Sequence, residues 1–78
     1  PNPFNPVTNI EFALPVDAEV IIQIYNLQGR VVATLANGTV NAGFNSITWN
    51  ADSHSSGVYF VHMHAGDYSS IQKLMLVK

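Results

Sequence analysis

His62-Met63-His64 sets two imidazoles two residues apart, and on a strand that spacing puts both on one face, within reach of a single metal ion. His54 could supply a third ligand if its loop folded back. A structural zinc site takes four ligands, and a catalytic one takes three plus an open position. No Asp or Glu stands beside the histidines to complete either set. The better-supported reading turns His62 and His64 outward on a strand whose Tyr59, Val61 and Met63 face the core. Asp52-Ser53-His54-Ser55-Ser56 holds every residue type of a serine-hydrolase triad. Real triads assemble from distant segments around an oxyanion hole, so this run reads as a solvated turn.

The carboxylates, Glu11, Asp17, Glu19, Asp52 and Asp67, are scattered singly and offer no acid and base pair. Asn2, Asn5, Asp17, Asp52 and Asp67 could lend oxygens to calcium, but they are also ordinary turn residues and follow no spaced loop motif. Lys73 is the one lysine before the last residue, and an intramolecular isopeptide bond would require it to be buried. Phe44, Phe60 and Tyr68 could stack on sugar rings, although nothing aligns them into a platform. The expectation is a chain with no catalytic residue, no metal and no cofactor.

Positioning any of these groups falls to strands. Short alternating segments separated by turn residues run the length of the chain, and no stretch keeps a helical period. The segment 8–14 alternates, with Ile10, Phe12 and Leu14 on one face, and Pro15 stops it. Residues 19–26 follow, with Val20, Ile22 and Ile24 inward, and a turn at 26–29 uses Gly29. A third strand covers 30–36. Asn37-Gly38 reads as a tight turn into a short seventh strand at 39–40, with a second turn at 41–43. Residues 44–51 turn Ile47 and Trp49 to one face, 52–57 form a loop, and 57–65 and 68–78 make a last pair around Gly66-Asp67. About seven antiparallel strands at this spacing predict an all-β fold, an Ig-like sandwich with Trp49 as its largest core member.

The chain has 78 residues, enough for one domain spanning 1–78, and no cysteine to staple it, so stability must come from apolar burial. Arg30, Lys73 and Lys78 are too few to neutralise many phosphates, which argues against nucleic-acid binding. No apolar run is long enough to span a bilayer, and no secretory signal is present. The opening PNPFNP stands apart. Proline fixes φ and removes a donor, so residues 1–7 read as a stiff extended lead-in from an upstream domain, suited to neither helix nor ladder and anchored by Phe4 alone. Beginning on Pro1, the chain looks like a segment of a longer protein.

PNPFNP, IEFALP, VIIQIYNLQGRVVATL, AGFNSITWNA and SSGVYFVHMHAGDYSSIQKLMLVK, in this order, resemble the type A C-terminal sorting domain of the type IX (Por) secretion system, found on exported proteins of the Bacteroidetes. The same pattern is similar to the Ig-like domain of the flagellar hook-capping protein. The resemblance covers essentially the whole chain. It implies a non-catalytic module of a larger exoprotein, recognised by the outer-membrane export machinery and carried to the surface or medium. It also implies, as a further partner, a sortase-like peptidase that removes the domain. The positions that match the family's motifs are Asn2 and Pro3, Gly57 and Tyr59, Lys73, and the ending Leu76-Val77-Lys78. A final strand at a sheet edge would leave backbone groups free to pair with another chain. The alternative is an accessory carbohydrate-binding or structural Ig-like spacer of a multidomain secreted enzyme, which predicts an exposed aromatic row on one sheet.

Overall fold

A computed structural model describes residues 2–78; Pro1, the first residue of the expected lead-in, lies outside the described residues. Six strands form, β1 (Val7–Leu14), β2 (Ala18–Asn26), β3 (Val31–Val40), β4 (Gly43–Asn50), β5 (Gly57–Ala65) and β6 (Tyr68–Leu76). They make an antiparallel four-stranded sheet in the order β3-β2-β5-β6 and a two-stranded sheet of β1 and β4. All-β architecture is therefore as expected, with six strands instead of seven. The order matches Ig-like strands C′, C, F and G facing B and E.

The period-two alternation does what it predicts. Ile10 and Leu14 of β1, Val20, Ile22 and Ile24 of β2, and Tyr59, Val61 and Met63 of β5 are all buried, and the intervening residues face out. Both sheets contribute to one continuous core that includes Trp49 of β4 and Leu74 and Leu76 of β6. Val20, Ile22, Ile24 and Leu76 are the largest wholly enclosed side chains. Fully burying each contributes about 1.5–3 kcal/mol relative to leaving it exposed.

The missing seventh strand is explained at Asn37-Gly38. This dipeptide does not turn. It lies inside β3, with Asn37 opposite Ile21 and Gly38 opposite Val20, and the strand runs on to pair Val40 with Ala18. A hairpin turn here would have left Thr39 and Val40 alone as a returning strand, and it would have abandoned the backbone partners that β2 offers. Register shifts between Ile22 and Gln23 and between Ile24 and Tyr25 let the longer β3 follow its neighbour. The turn at 41–43 then carries the chain to the other sheet.

Other turns fall where the sequence places them. The Asn26 carboxamide accepts hydrogen bonds from the Gln28 and Arg30 amides, each at 3.0 Å. Gly29 sits at φ 82°, where a side chain is disfavoured. Gly66-Asp67 closes the hairpin between β5 and β6, with Ala65 opposite Tyr68.

The proline-rich opening departs most from expectation. The Asn2-Pro3 and Asn5-Pro6 peptide bonds are cis, and Phe4 forms a parallel bridge to Leu76. The Phe4 amide donates to the Met75 carbonyl and the Val77 amide to the Phe4 carbonyl, both at 3.0 Å. So the lead-in does join a ladder. Proline is tolerated because Phe4 supplies the donor and acceptor, while the neighbouring Pro3 falls at the alternate position, where a strand residue's N–H points away from the partner.

Candidate functional site

Phe4, Trp49, His54 and Tyr59 gather at one end of the sandwich. Trp49 is 5.7 Å from Phe4, 5.5 Å from His54 and 5.2 Å from Tyr59, centroid to centroid. The elements that bring them there are the opening segment, the end of β4, the 51–56 loop and the start of β5. Apolar aromatic area is large for each ring, and tilted or edge contacts suit their quadrupoles. Phe4, Trp49 and Tyr59 are buried.

Around this cluster the two ends of the chain meet. The Asn2 carboxamide donates to the Lys73 carbonyl at 3.2 Å and accepts from the Met75 amide at 2.7 Å, so a side chain imitates a strand's peptide group. With the two Phe4 bonds, residues 2–4 clasp the outer edge of β6 from Lys73 to Val77. Lys78 closes the corner from the other side. Its ammonium donates to the carbonyls of Asp52 at 2.6 Å and His54 at 3.0 Å, and its amide donates to the Ser56 hydroxyl at 3.0 Å. The terminal basic residue thus caps a loop, and its charge is engaged by backbone oxygens.

Tyr59 has a definite structural role. Its hydroxyl donates to the Ser55 carbonyl at 2.6 Å, four residues upstream at the bend between β4 and β5. This is the tyrosine corner of Ig-like sandwiches, which ties strand F to the connection before it. Tyr59→Phe keeps the ring against Trp49 and removes only that bond. It is expected to cost about 1 kcal/mol in urea denaturation, whereas a loss below about 0.3 kcal/mol would mean that the bond contributes little beyond what water supplies.

Every sequence-nominated position therefore falls at or beside one corner. Asn2, Pro3, Lys73, Leu76 and Val77 lie in the clasp or on the edge it grips; Gly57 pairs with Leu76, Tyr59 with Leu74, and Lys78 caps the loop beneath. Only half of β6 is the free edge that the sequence suggests. Backbone groups of successive residues point to opposite sides of a strand, so those of Ser69 and Ile71 face the same side as the clasped groups of Lys73, Met75 and Val77. Residues 2–4 do not reach them.

The other nominated sets separate. His62 packs, tilted, against Tyr25 at 4.3 Å between ring centroids on the outer face of the four-stranded sheet, whereas His54 packs against Trp49. Among the described residues no group of three metal-ligating side chains comes together. Asp17 lies at the opposite end from Asn2 and Asp52, its carboxylate holding the Ala42 amide at 2.7 Å. The Lys73 side chain is exposed, as the isopeptide chemistry would not allow. Phe44, 97% exposed, stands on the outer face of the two-stranded sheet, Phe60 on that of the four-stranded sheet, and Tyr68 at the start of β6. They share no face, so no sugar-stacking row forms from them.

Sequence reasoning missed the Asn2 clasp and the capping by Lys78. Both depend on side chains meeting backbone more than 20 residues away in sequence. The proline spacing around Phe4 was the one local signal. No curated protein and no solved structure matches the chain. The family model described as "Secretion system C-terminal sorting domain" does match, over residues 1–78. The all-strand fold and this match over residues 1–78 agree with the resemblance read from the motifs: the chain belongs to the secretion system C-terminal sorting domain family, the address labels that direct proteins through the type IX route to the cell surface or medium.

Proposed function

We propose that the export machinery reads this domain at the clasped corner, through Asn2, Pro3, Gly57, Tyr59, Lys73, Leu76, Val77 and Lys78. One observation carries the reading: residues from both ends of the chain and from the loop at 51–56 converge on that corner. A receptor that contacts it touches the opening segment and the last strand of the domain at once, and so responds to a completed fold instead of a short peptide. Tyr59 and Leu76 are buried and shape the corner from within. Lys73 and Val77 are exposed and available for contact.

In this reading residues 1–78 act as one unit that does no chemistry of its own. Residues 1–7 join it to the upstream domains of an exoprotein. A sortase-like peptidase of the same route then removes the domain.

A periplasmically targeted fluorescent protein carrying residues 1–78 at its carboxyl end tests the reading in a bacterium with a working type IX system. The fusion is expected outside the cell. Lys73→Glu with Val77→Asp, two exposed changes at the corner, should leave the domain folded and the fusion retained. Phe44→Ser with Tyr68→Ser, at the far end, should leave export intact. Export of the corner variant would overturn the assignment.

A further inference from the structure

We propose that Asn37-Gly38 is a site of self-modification that the sandwich holds closed. In the unfolded chain it cyclises and deamidates; in the folded chain its pairing with β2 keeps it intact. Both residues lie on β3, at the edge of the four-stranded sheet opposite β6, so the site is independent of how the corner is read.

Asn37 is the one asparagine of the chain that a glycine follows. With no side chain in the way, the Gly38 nitrogen can approach the Asn37 carboxamide carbon closely. It gives its proton to solvent base and bonds to that carbon. The bond from the carbon to the carboxamide nitrogen breaks, and ammonia leaves with a proton from water. Water then opens the cyclic imide at either of its carbonyls, which yields aspartate or isoaspartate. Solvent water is the only co-reactant.

Ring closure requires a free Gly38 nitrogen and a swing of the peptide plane between the two residues toward the side chain. The sheet prevents both. The Met75 amide and carbonyl serve the opening segment, so β6 bonds β5 at Leu74 with Tyr59 and at Leu76 with Gly57. Carried across the sheet, the same alternation bonds β5 to β2 at His64 with Ile21 and at His62 with Gln23. It then bonds β2 to β3 at Ile22 with Ala36, Val20 with Gly38 and Ala18 with Val40. The Asn26 amide, which donates to the Arg30 carbonyl at 2.9 Å, keeps the same parity on β2. Gly38 thus donates its N–H to Val20 and has a bonded pair on either side. Its φ of 154° lies where side chains are disfavoured, so the strand uses the residue that makes the dipeptide reactive. The Asn37 side chain is exposed to water, which leaves the ladder as the barrier.

The product matters to the fold. Isoaspartate routes the main chain through the former side-chain carbon and lengthens it by one methylene. Residues 38–40 then no longer meet Val20 and Ala18 in register. A chain that stays unfolded acquires this lesion, and a chain that folds promptly escapes it.

Mass spectrometry of the unmodified chain tests the site, in warm, mildly alkaline buffer with and without denaturing guanidinium chloride. Asn37 is expected to convert before every other asparagine in guanidinium, and about tenfold or more slowly in buffer alone. The isoaspartate product, separated and returned to buffer, should melt about 5 °C or more below the unmodified chain, or fail to refold. The Asn37→Asp chain carries the same charge on an unaltered main chain and should stay within about 3 °C. Conversion in buffer at a rate within about tenfold of that in guanidinium would overturn the assignment. So would an Asn37 that lags other asparagines in guanidinium, or an isoaspartate product that melts with the Asn37→Asp chain.

Discussion

A chain ending at Ser70 is expected to be unfolded. The deletion removes Leu74 and Leu76, which are 2% and 1% exposed and belong to the core that both sheets share. Truncating a single buried Leu to Ala costs about 2–5 kcal/mol. A domain of this size without disulfides or metal has on the order of 5 kcal/mol in total. Losing both leucines, and with them the partner of β5 from Gly57 to His62, exceeds that margin. Far-UV circular dichroism should show no sheet, and Trp49 emission should shift to the red as the indole, 3% exposed in the fold, meets water. A cooperative thermal transition with blue-shifted Trp49 emission would show that the first five strands hold together without the sixth. The consequence for function is direct. Failure of this truncated chain to be exported would report a lost fold, so recognition has to be tested with exposed positions such as Lys73 and Val77.

The second large effect is expected at Phe4→Ala. Phe4 belongs to a segment that composition alone would assign to a linker, and linker substitutions usually change stability by less than about 0.5 kcal/mol. Here the ring is 5% exposed and packs against Trp49, and its backbone makes both bonds of the parallel bridge to β6. Removing a buried Phe side chain costs about 3–5 kcal/mol, part transfer and part cavity. The change should bring the domain to the margin of stability in guanidinium or urea denaturation. Asn5→Ala, an exposed neighbour, serves as the control and should stay within about 0.5 kcal/mol of the unmodified chain. Equal midpoints for the two variants would mean that the opening segment is an ornament on a sandwich that is complete without it.

The same contrast separates the readings of the proline-rich start. A passive tether would transmit nothing between the upstream polypeptide and the last strand. A clasp ties residues 2–4 to the last strand through the bonds to Lys73, Met75 and Val77.

Much was determined by the sequence alone. The alternation of Ile10, Phe12 and Leu14, of Val20, Ile22 and Ile24, and of Tyr59, Val61 and Met63 specifies strands and their inward faces, because the side-chain period of a strand is two whatever it pairs with. Asn26 and Gly29 specify their turn through bonds within five consecutive residues. The order of motifs places the chain in its family. Tertiary structure decided what local chemistry leaves open. Asn37-Gly38 carries a strong turn signal, yet β2 offers its backbone partners out to Ala18, and continuing that ladder outweighs a two-residue preference. The Asn2 clasp, the Tyr59 corner and the Lys78 cap each join a side chain to a backbone group. The peptide group of every residue but proline looks the same to a donor or acceptor. Which one lies within 3 Å is set only when the two sheets close over Trp49 and bring both ends of the chain to one corner.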